Sequence, residues 1–181
     1  MEAMVERTAT RPRLLAIVGP EATGKSVLAA ALAEQLGTVW VPEYAREYLE
    51  GLDRRYALDD LIEIARGQNE RVQAALPQAH GWLIVDTNPL VEIVWAEYMF
   101  QQKLPALYDL WHAISYDLHL LTHPDLPWTF DPLREHPDPE DRQRIFACYA
   151  QHLRHSGYLY AEVEGEGKAR VQAALAAVKP G

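Results

Sequence analysis

The sequence predicts an α/β domain, a parallel sheet of five strands with helices on both faces, from three observations. Short apolar runs recur five times along 181 residues, stretches of helical composition separate them, and the first run leads straight into a glycine-rich turn that opens a helix. Neither an internal repeat nor a Gly/Ser linker divides the chain. Residues 1–12 read as a flexible N-terminal segment and 13–181 as one domain.

Leu14 to Val18 is continuously apolar without alternation, as in a strand covered on both faces, and is expected at the centre of the sheet. Ser26 to Leu36 is rich in Ala and Leu and stops at Gly37, a residue suited to a helix C-terminus. Val39 to Val41 is a short second strand. Ala57 to Leu76 carries apolar residues at helical spacing, at Leu58, Leu61, Ile62, Ala65, Val72 and Leu76. Trp82 to Val85 is the third strand, ending at Asp86; Pro89 to Gln102 is helical, Leu118 to Leu121 is the fourth strand, and Glu140 to His152 the next helix. Leu159 to Val163 and the helix Lys168 to Val178 close the domain. Between them, His123 to Pro139 carries five prolines, which limit its freedom and exclude regular structure. A loop this long in a compact domain points to a lid, assigned to Asp125–Glu135.

Composition narrows the function. With 17 Lys+Arg against 26 Asp+Glu, a net charge of −9 lacks the basic footprint of a duplex-DNA binder, so no nucleic-acid partner is expected. Cys148 stands alone and makes no intrachain disulfide. No signal-peptide pattern and no membrane-length apolar run is found, and a cytoplasmic protein with no membrane partner is expected. His152 and His155 have helical proximity but no third ligand, and read as surface residues. The five tryptophans read mostly as core or lid packing, with one or two left to stack on a substrate ring.

The chemistry is carried by Gly19-Pro20-Glu21-Ala22-Thr23-Gly24-Lys25-Ser26, which fits G-x-x-x-x-G-K-[ST] between a strand and a helix. Backbone N–H groups of such a P-loop and its helix N-terminus point at phosphate oxygens, Lys25 bridges the terminal phosphates, and the Ser26 hydroxyl is a Mg²⁺ ligand. The motif, extended to Val27, predicts ATP binding by Gly19, Glu21, Ala22, Thr23, Gly24, Lys25, Ser26 and Val27, joined by Arg134 closing over the phosphates. The fold sharpens accordingly to a three-layer P-loop kinase with a proline-rich lid. Asp86, at the end of an apolar strand, suits a Mg²⁺-holding carboxylate or a base, with a helix N-cap as its plainer role. Glu43 lies just past the second strand, where open α/β sheets bind ligands, and competes for the role of base. Arg134 on the lid is the candidate for neutralising phosphoryl charge, and Arg142 and Arg144 are weaker candidates. Gln68 suits an amide or base edge, or a solvated helix position.

These residues together resemble a known family, the NadR-type ribosylnicotinamide kinase domain. The resemblance runs through the P-loop, Glu43-Tyr44-Ala45-Arg46-Glu47-Tyr48, Asp86-Thr87 followed by Val94-Trp95-Ala96-Glu97, Tyr116-Asp117-Leu118, and Pro127-Trp128-Thr129-Phe130-Asp131-Pro132-Leu133-Arg134-Glu135. It implies a kinase that uses ATP and Mg²⁺ to phosphorylate the 5′-hydroxyl of nicotinamide riboside in NAD biosynthesis. Catalysis then falls to Lys25, Glu43, Asp86 and Arg134, metal binding to Ser26 and Asp86, and acceptor binding to Glu43, Tyr44, Arg46, Gln68, Asp86 and Asn88. A nucleoside or deoxynucleoside kinase and a P-loop ATPase switch module are the alternatives, and a homo-oligomer is compatible with all three.

Overall fold

Alternation inside a fully buried strand sets the layering of this domain. The computed structural model describes residues 11–178; residues 1–10 of the expected N-terminal segment lie outside them. In β1 (Arg13–Val18) every residue from Leu14 onward is buried. Leu15 and Ile17 face one helical layer, formed by α1 (Lys25–Leu36) and α7 (Gly167–Val178). Leu14, Ala16 and Val18 face the other, which holds α3 (Leu58–Ala75), α4 (Leu90–Phe100), α5 (Pro105–His112) and α6 (Pro139–Ser156). With β2 (Trp40–Val41), β3 (Trp82–Asp86), β4 (Leu118–Thr122) and β5 (Tyr160–Val163), the sheet has the order β2-β3-β1-β4-β5 and every pair is parallel. The first strand is central, as its unbroken apolar run predicts.

Register places the chemistry. Ile17 pairs with Asp86, Val41 with Val85, and Val18 with Leu121, so the loops after β1, β2, β3 and β4 emerge side by side at one end of the sheet. This is the edge at which open parallel sheets bind ligands.

Two helices go beyond the elements read from the sequence. α2 (Tyr44–Glu50) has no buried residue and therefore no apolar periodicity to find. α5 is only eight residues long and starts on Pro105, a residue that suits the first helical turn. For the same reason Pro139, expected in the loop, opens α6, where the Asp138 side chain accepts from the backbone N–H of Glu140 at 2.7 Å. β2 is two residues rather than three, and Leu159 precedes β5 and is 70% exposed. His152 is half-buried rather than on the surface, its Nε2 lying 2.9 Å from the Glu97 carboxylate, whereas His155 is exposed. Among the described residues no helix is long and apolar enough to cross a membrane.

Candidate active site

The turn after β1 is possible only with glycine at its start. Gly19 has φ 145°, and a Cβ there would come within 2.4 Å of Thr122 Oγ1 and 2.8 Å of the Thr122 carbonyl on β4. Ala22 at φ 54° and Gly24 at φ 72° take left-handed backbone in the same loop, which turns successive N–H groups toward a common centre. Thr23 points the other way: its hydroxyl is buried, 2.8 Å from the Pro20 carbonyl and 2.7 Å from the Thr122 hydroxyl, and stitches the loop to β4. Lys25 donates from Nζ to the carbonyls of Gly19 at 3.0 Å and Pro20 at 2.8 Å, which hold its ammonium at the centre of the loop. Burial lowers the Lys25 pKa, against the opposing charges of Glu43, Asp86 and Glu21.

The P-loop forms one wall of a cavity of about 230 Å³. Gly19, Glu21, Ala22, Thr23, Gly24, Lys25, Ser26 and Val27 all line it, with Glu43 and Arg46 from the β2–α2 junction and Arg134 from the proline-rich loop. Its deeper part is apolar and aromatic, with Leu61, Ile64, Val91, Trp95, Ile145 and Tyr149, and one carboxyl, Glu92. The cavity thus joins the P-loop to a buried lining of aromatic and apolar side chains.

Glu43 and Asp86, equivalent candidates in the sequence, separate here. Glu43 stands at the start of α2 and lines the cavity. Asp86 is 1% exposed and lies behind the loop, where its Oδ2 accepts from the Ser26 hydroxyl at 2.5 Å and its Oδ1 has no hydrogen-bond partner. Burial, reinforced by the charge of Glu43, pushes the Asp86 carboxyl up to about 6. Asp86 does not cap α4; that helix begins after Pro89, and the Asn88 Oδ1 accepts from Leu90 N–H at 3.2 Å.

Three candidate acceptor residues are turned away from the cavity. Gln68 is buried on α3, its Oε1 accepting from Tyr44 N–H at 2.7 Å and its Nε2 near the carbonyls of Asp86 at 3.3 Å and Pro42 at 3.4 Å. A buried amide must be satisfied, and here it is spent on tying the loops after β2 and β3 together rather than on a ligand or on water. Asn88 is likewise buried, with Nδ2 donating to His119 Nε2 at 3.0 Å. Burial drives His119 down to about 3, so its ring is neutral and free to accept. The Tyr44 ring packs over Gly67 of α3, where a Cβ would come within 2.1 Å of it, and under the Arg71 guanidinium at 4.6 Å.

The arginines divide as well. Arg134 reaches the cavity wall while donating to the carbonyl of Thr129 at 2.6 Å and to its hydroxyl. Arg46 pairs with Asp131 at 3.0 Å, joining α2 to the proline-rich loop. Arg142 is buried, with its guanidinium donating at 3.1 Å to the carbonyls of both Ala22 and Leu126, so it braces the P-loop from behind and is committed to backbone. Arg144 is exposed and paired with Glu140 and Asp141.

Glu21, read as an ATP contact, also accepts from Glu135 N–H at 2.9 Å and His136 N–H at 3.0 Å. It fastens the far end of the proline-rich loop to the P-loop. Arg170 does the same for the near end, donating to Asp125 at 2.8 Å, His123 O at 3.0 Å and Thr23 O at 2.8 Å. Sequence reading missed Arg170, Tyr149 and Glu92 as parts of this region. Of these only Glu92 carries a signal, as the one charged residue in the run Leu90-Val91-Glu92-Ile93-Val94-Trp95.

Known proteins share the fold. The chain is 27% identical over 158 residues to the trifunctional NAD biosynthesis/regulator protein NadR of Escherichia coli (strain K12), covering 85% of this chain and 38% of that protein. Two NadR crystal structures superpose on 92% of the chain and 48% of their own. The complex with NR has a TM-score of 0.79 at 23% identity, and the complex with NAD and AMP-PNP 0.76 at 24%. Thymidylate kinase from Ehrlichia chaffeensis matches at a TM-score of 0.65 and 14% identity, over 93% of this chain and 97% of its own. The chain spans less than half the length of the NadR proteins it matches. The fold is that of the P-loop kinases. The family model described as AAA domain covers residues 14–170, from β1 into α7, and the chain belongs to that family.

Proposed function

We propose that this domain transfers the γ-phosphoryl group of ATP to the 5′-hydroxyl of nicotinamide riboside. The observation that carries the reading is a single cavity lined together by the P-loop, by the Trp95 and Tyr149 rings among buried apolar side chains, and by the Glu43 carboxylate. Similarity to NadR over 85% of the chain, and a common fold with a NadR bound to NR, support the choice of acceptor.

The residues divide the work by position. Backbone N–H groups of the P-loop and Lys25 hold and neutralise the phosphates, while the aromatic compartment orients the riboside. The 5′-oxygen forms its bond to the γ-phosphorus as the bond to the β–γ bridging oxygen breaks. Glu43 accepts the hydroxyl proton, and ADP leaves. Because such transfer is largely dissociative, positioning and charge stabilisation by Lys25 and Arg134 outweigh the strength of the base. Ser26 and Asp86 would hold Mg²⁺, since the unpartnered Asp86 Oδ1 beside a hydroxyl offers the hard oxygen donors that ion takes. When bound, the ion supplies charge neutralisation at the β- and γ-phosphates. The reading places the protein in the cytoplasm, where ATP is available.

The test is ATP consumption by the purified chain, alone and with a panel of nicotinamide riboside, thymidine, uridine, cytidine and adenosine. Low turnover without acceptor and strong stimulation by nicotinamide riboside are expected. Stimulation by a conventional nucleoside alone reassigns the acceptor, and acceptor-independent hydrolysis identifies an ATPase.

A further inference from the structure

One carboxyl in the cavity has an oxygen without a hydrogen-bond partner and no use in the proposed phosphoryl-transfer chemistry. Glu92 sits on α4 among buried apolar residues, is itself 3% exposed, and its Oε2 makes no hydrogen bond. It lines the aromatic compartment with Trp95, three residues on along the same helix, and Tyr149 from α6. The cations of the cavity are committed elsewhere: Lys25 is held by P-loop carbonyls, Arg134 by Thr129, and Arg46 by Asp131. None of them acts on Glu92, whose ionisation is opposed by burial and then by the charge of Glu43; the carboxyl is pushed up to about 8. A carboxyl in an apolar wall stays protonated, and its ionised form is stabilised only by a cation brought against it.

We propose that Glu92 is a specificity residue that selects an acceptor whose ring carries a delocalised positive charge, a pyridinium riboside over an uncharged nucleoside, by becoming its counter-ion within the aromatic compartment. This rests on the kinase reading given above. The ring faces of Trp95 and Tyr149 favour the same cation through their quadrupoles. When the pyridinium enters, Glu92 gives its proton to solvent and the carboxylate–cation pair forms. An uncharged ring leaves Glu92 protonated and releases nothing. The other titratable groups that face Glu92 are Glu43, Tyr149 and Tyr116. Both tyrosines are held above their ordinary range by burial, and Glu43 meets either ligand alike.

The experiment measures binding without ATP, by calorimetry of nicotinamide riboside and of its uncharged phenyl isostere, benzamide riboside, in two buffers of different ionisation enthalpy. Wild-type protein at pH 7 is expected to release a proton fraction on binding the pyridinium and not the isostere, and affinity for the pyridinium alone should rise between pH 6 and 8. Glu92→Gln, which matches the protonated side chain in shape and charge, should lose the proton release and reduce the preference for the pyridinium about tenfold or more. AMP-PNP binding and the melting curve report whether that variant is folded, and the wild-type pH and buffer series stands without it. Equal proton release with both ligands, or an unchanged preference in Glu92→Gln, overturns the proposal, as does a wild-type protein that binds no pyridinium riboside. Pyridinium binding with these signatures but no product when ATP is added leaves the Glu92 assignment standing and removes the kinase reading.

Discussion

Asp86 and Glu92 are held above the ordinary carboxyl range, both chiefly by burial and both further by the charge of Glu43. In the unfolded chain they lose their protons near 4; in the folded protein they keep them to about 6 and about 8. Between those limits the folded state binds more protons than the unfolded one, so stability contributed by these groups is full below pH 4 and declines as pH rises. Asp86→Asn and Glu92→Gln should therefore each raise the melting temperature at pH 8, by about 3 °C or more, and change it little at pH 4. Equal shifts at both pH values would mean that the two carboxyls are ionised as easily as exposed ones. In the proposed kinase activity runs the other way for Asp86, whose carboxyl would hold a cation only when ionised, so the wild-type rate should fall below about pH 6. Lys25→Ala should cost on the order of 10²-fold or more in phosphoryl transfer with the melting temperature preserved, because Lys25 supplies charge at the loop rather than core. The P-loop residues are legible because one motif fixes both their spacing and their task. Gln68 and Asn88 are not, since a polar side chain that turns inward to backbone and one that turns toward a ligand have the same sequence signature.

At the scale of elements, α2 matters beyond its seven residues because it carries Glu43 and Arg46 to the cavity. It is seated by the Tyr44 ring on the bare surface of α3 at Gly67. Gly67→Ala gains up to about 1 kcal/mol of helix propensity. It also drives a Cβ into that ring at 2.1 Å, a clash that typically costs about 1–3 kcal/mol. The clash should win, lowering the melting temperature and, by displacing Glu43, lowering kcat. A stabilised, fully active Gly67→Ala protein would show that α2 can move without consequence. The proline-rich loop is pinned at both ends, by Arg170 on Asp125 and by Glu21 on Glu135 and His136, while Phe130 between them is 80% exposed. Closure over nucleotide, if the segment is a lid, is expected within residues 126–134, where it must carry or break the ties of Arg142 to Leu126 and Arg46 to Asp131. Hydrogen exchange there should slow when AMP-PNP binds, with Glu135 and His136 slow throughout. Slow exchange across 126–134 without nucleotide, unchanged by its addition, would make the segment a rigid loop. Its proline content is plain in the sequence; its anchors by Glu21 and Arg170 are not, because these lie 114 and 45 residues from the groups they hold.

At the scale of the whole molecule, the parallel register gathers the loops after β1, β2, β3 and β4 at one end of the sheet and sets a phosphate-binding turn beside an aromatic compartment. The sheet and most helices are legible because buried strands are continuous apolar runs and the larger helices carry apolar stripes. α2 escapes because nothing in it is buried, and the compartment escapes because its wall is assembled from α3, α4 and α6, whose meeting no local pattern records. What the assembled site does is tested most directly by incubating the purified chain with nicotinamide riboside and ATP labelled with ¹⁸O on the γ-phosphoryl group, and by mass spectrometry of the riboside. A 5′-monophosphate carrying the label is expected, formed together with ADP and reduced on the order of 10²-fold or more when Glu43 is changed to Gln. Unmodified riboside alongside labelled inorganic phosphate would contradict it.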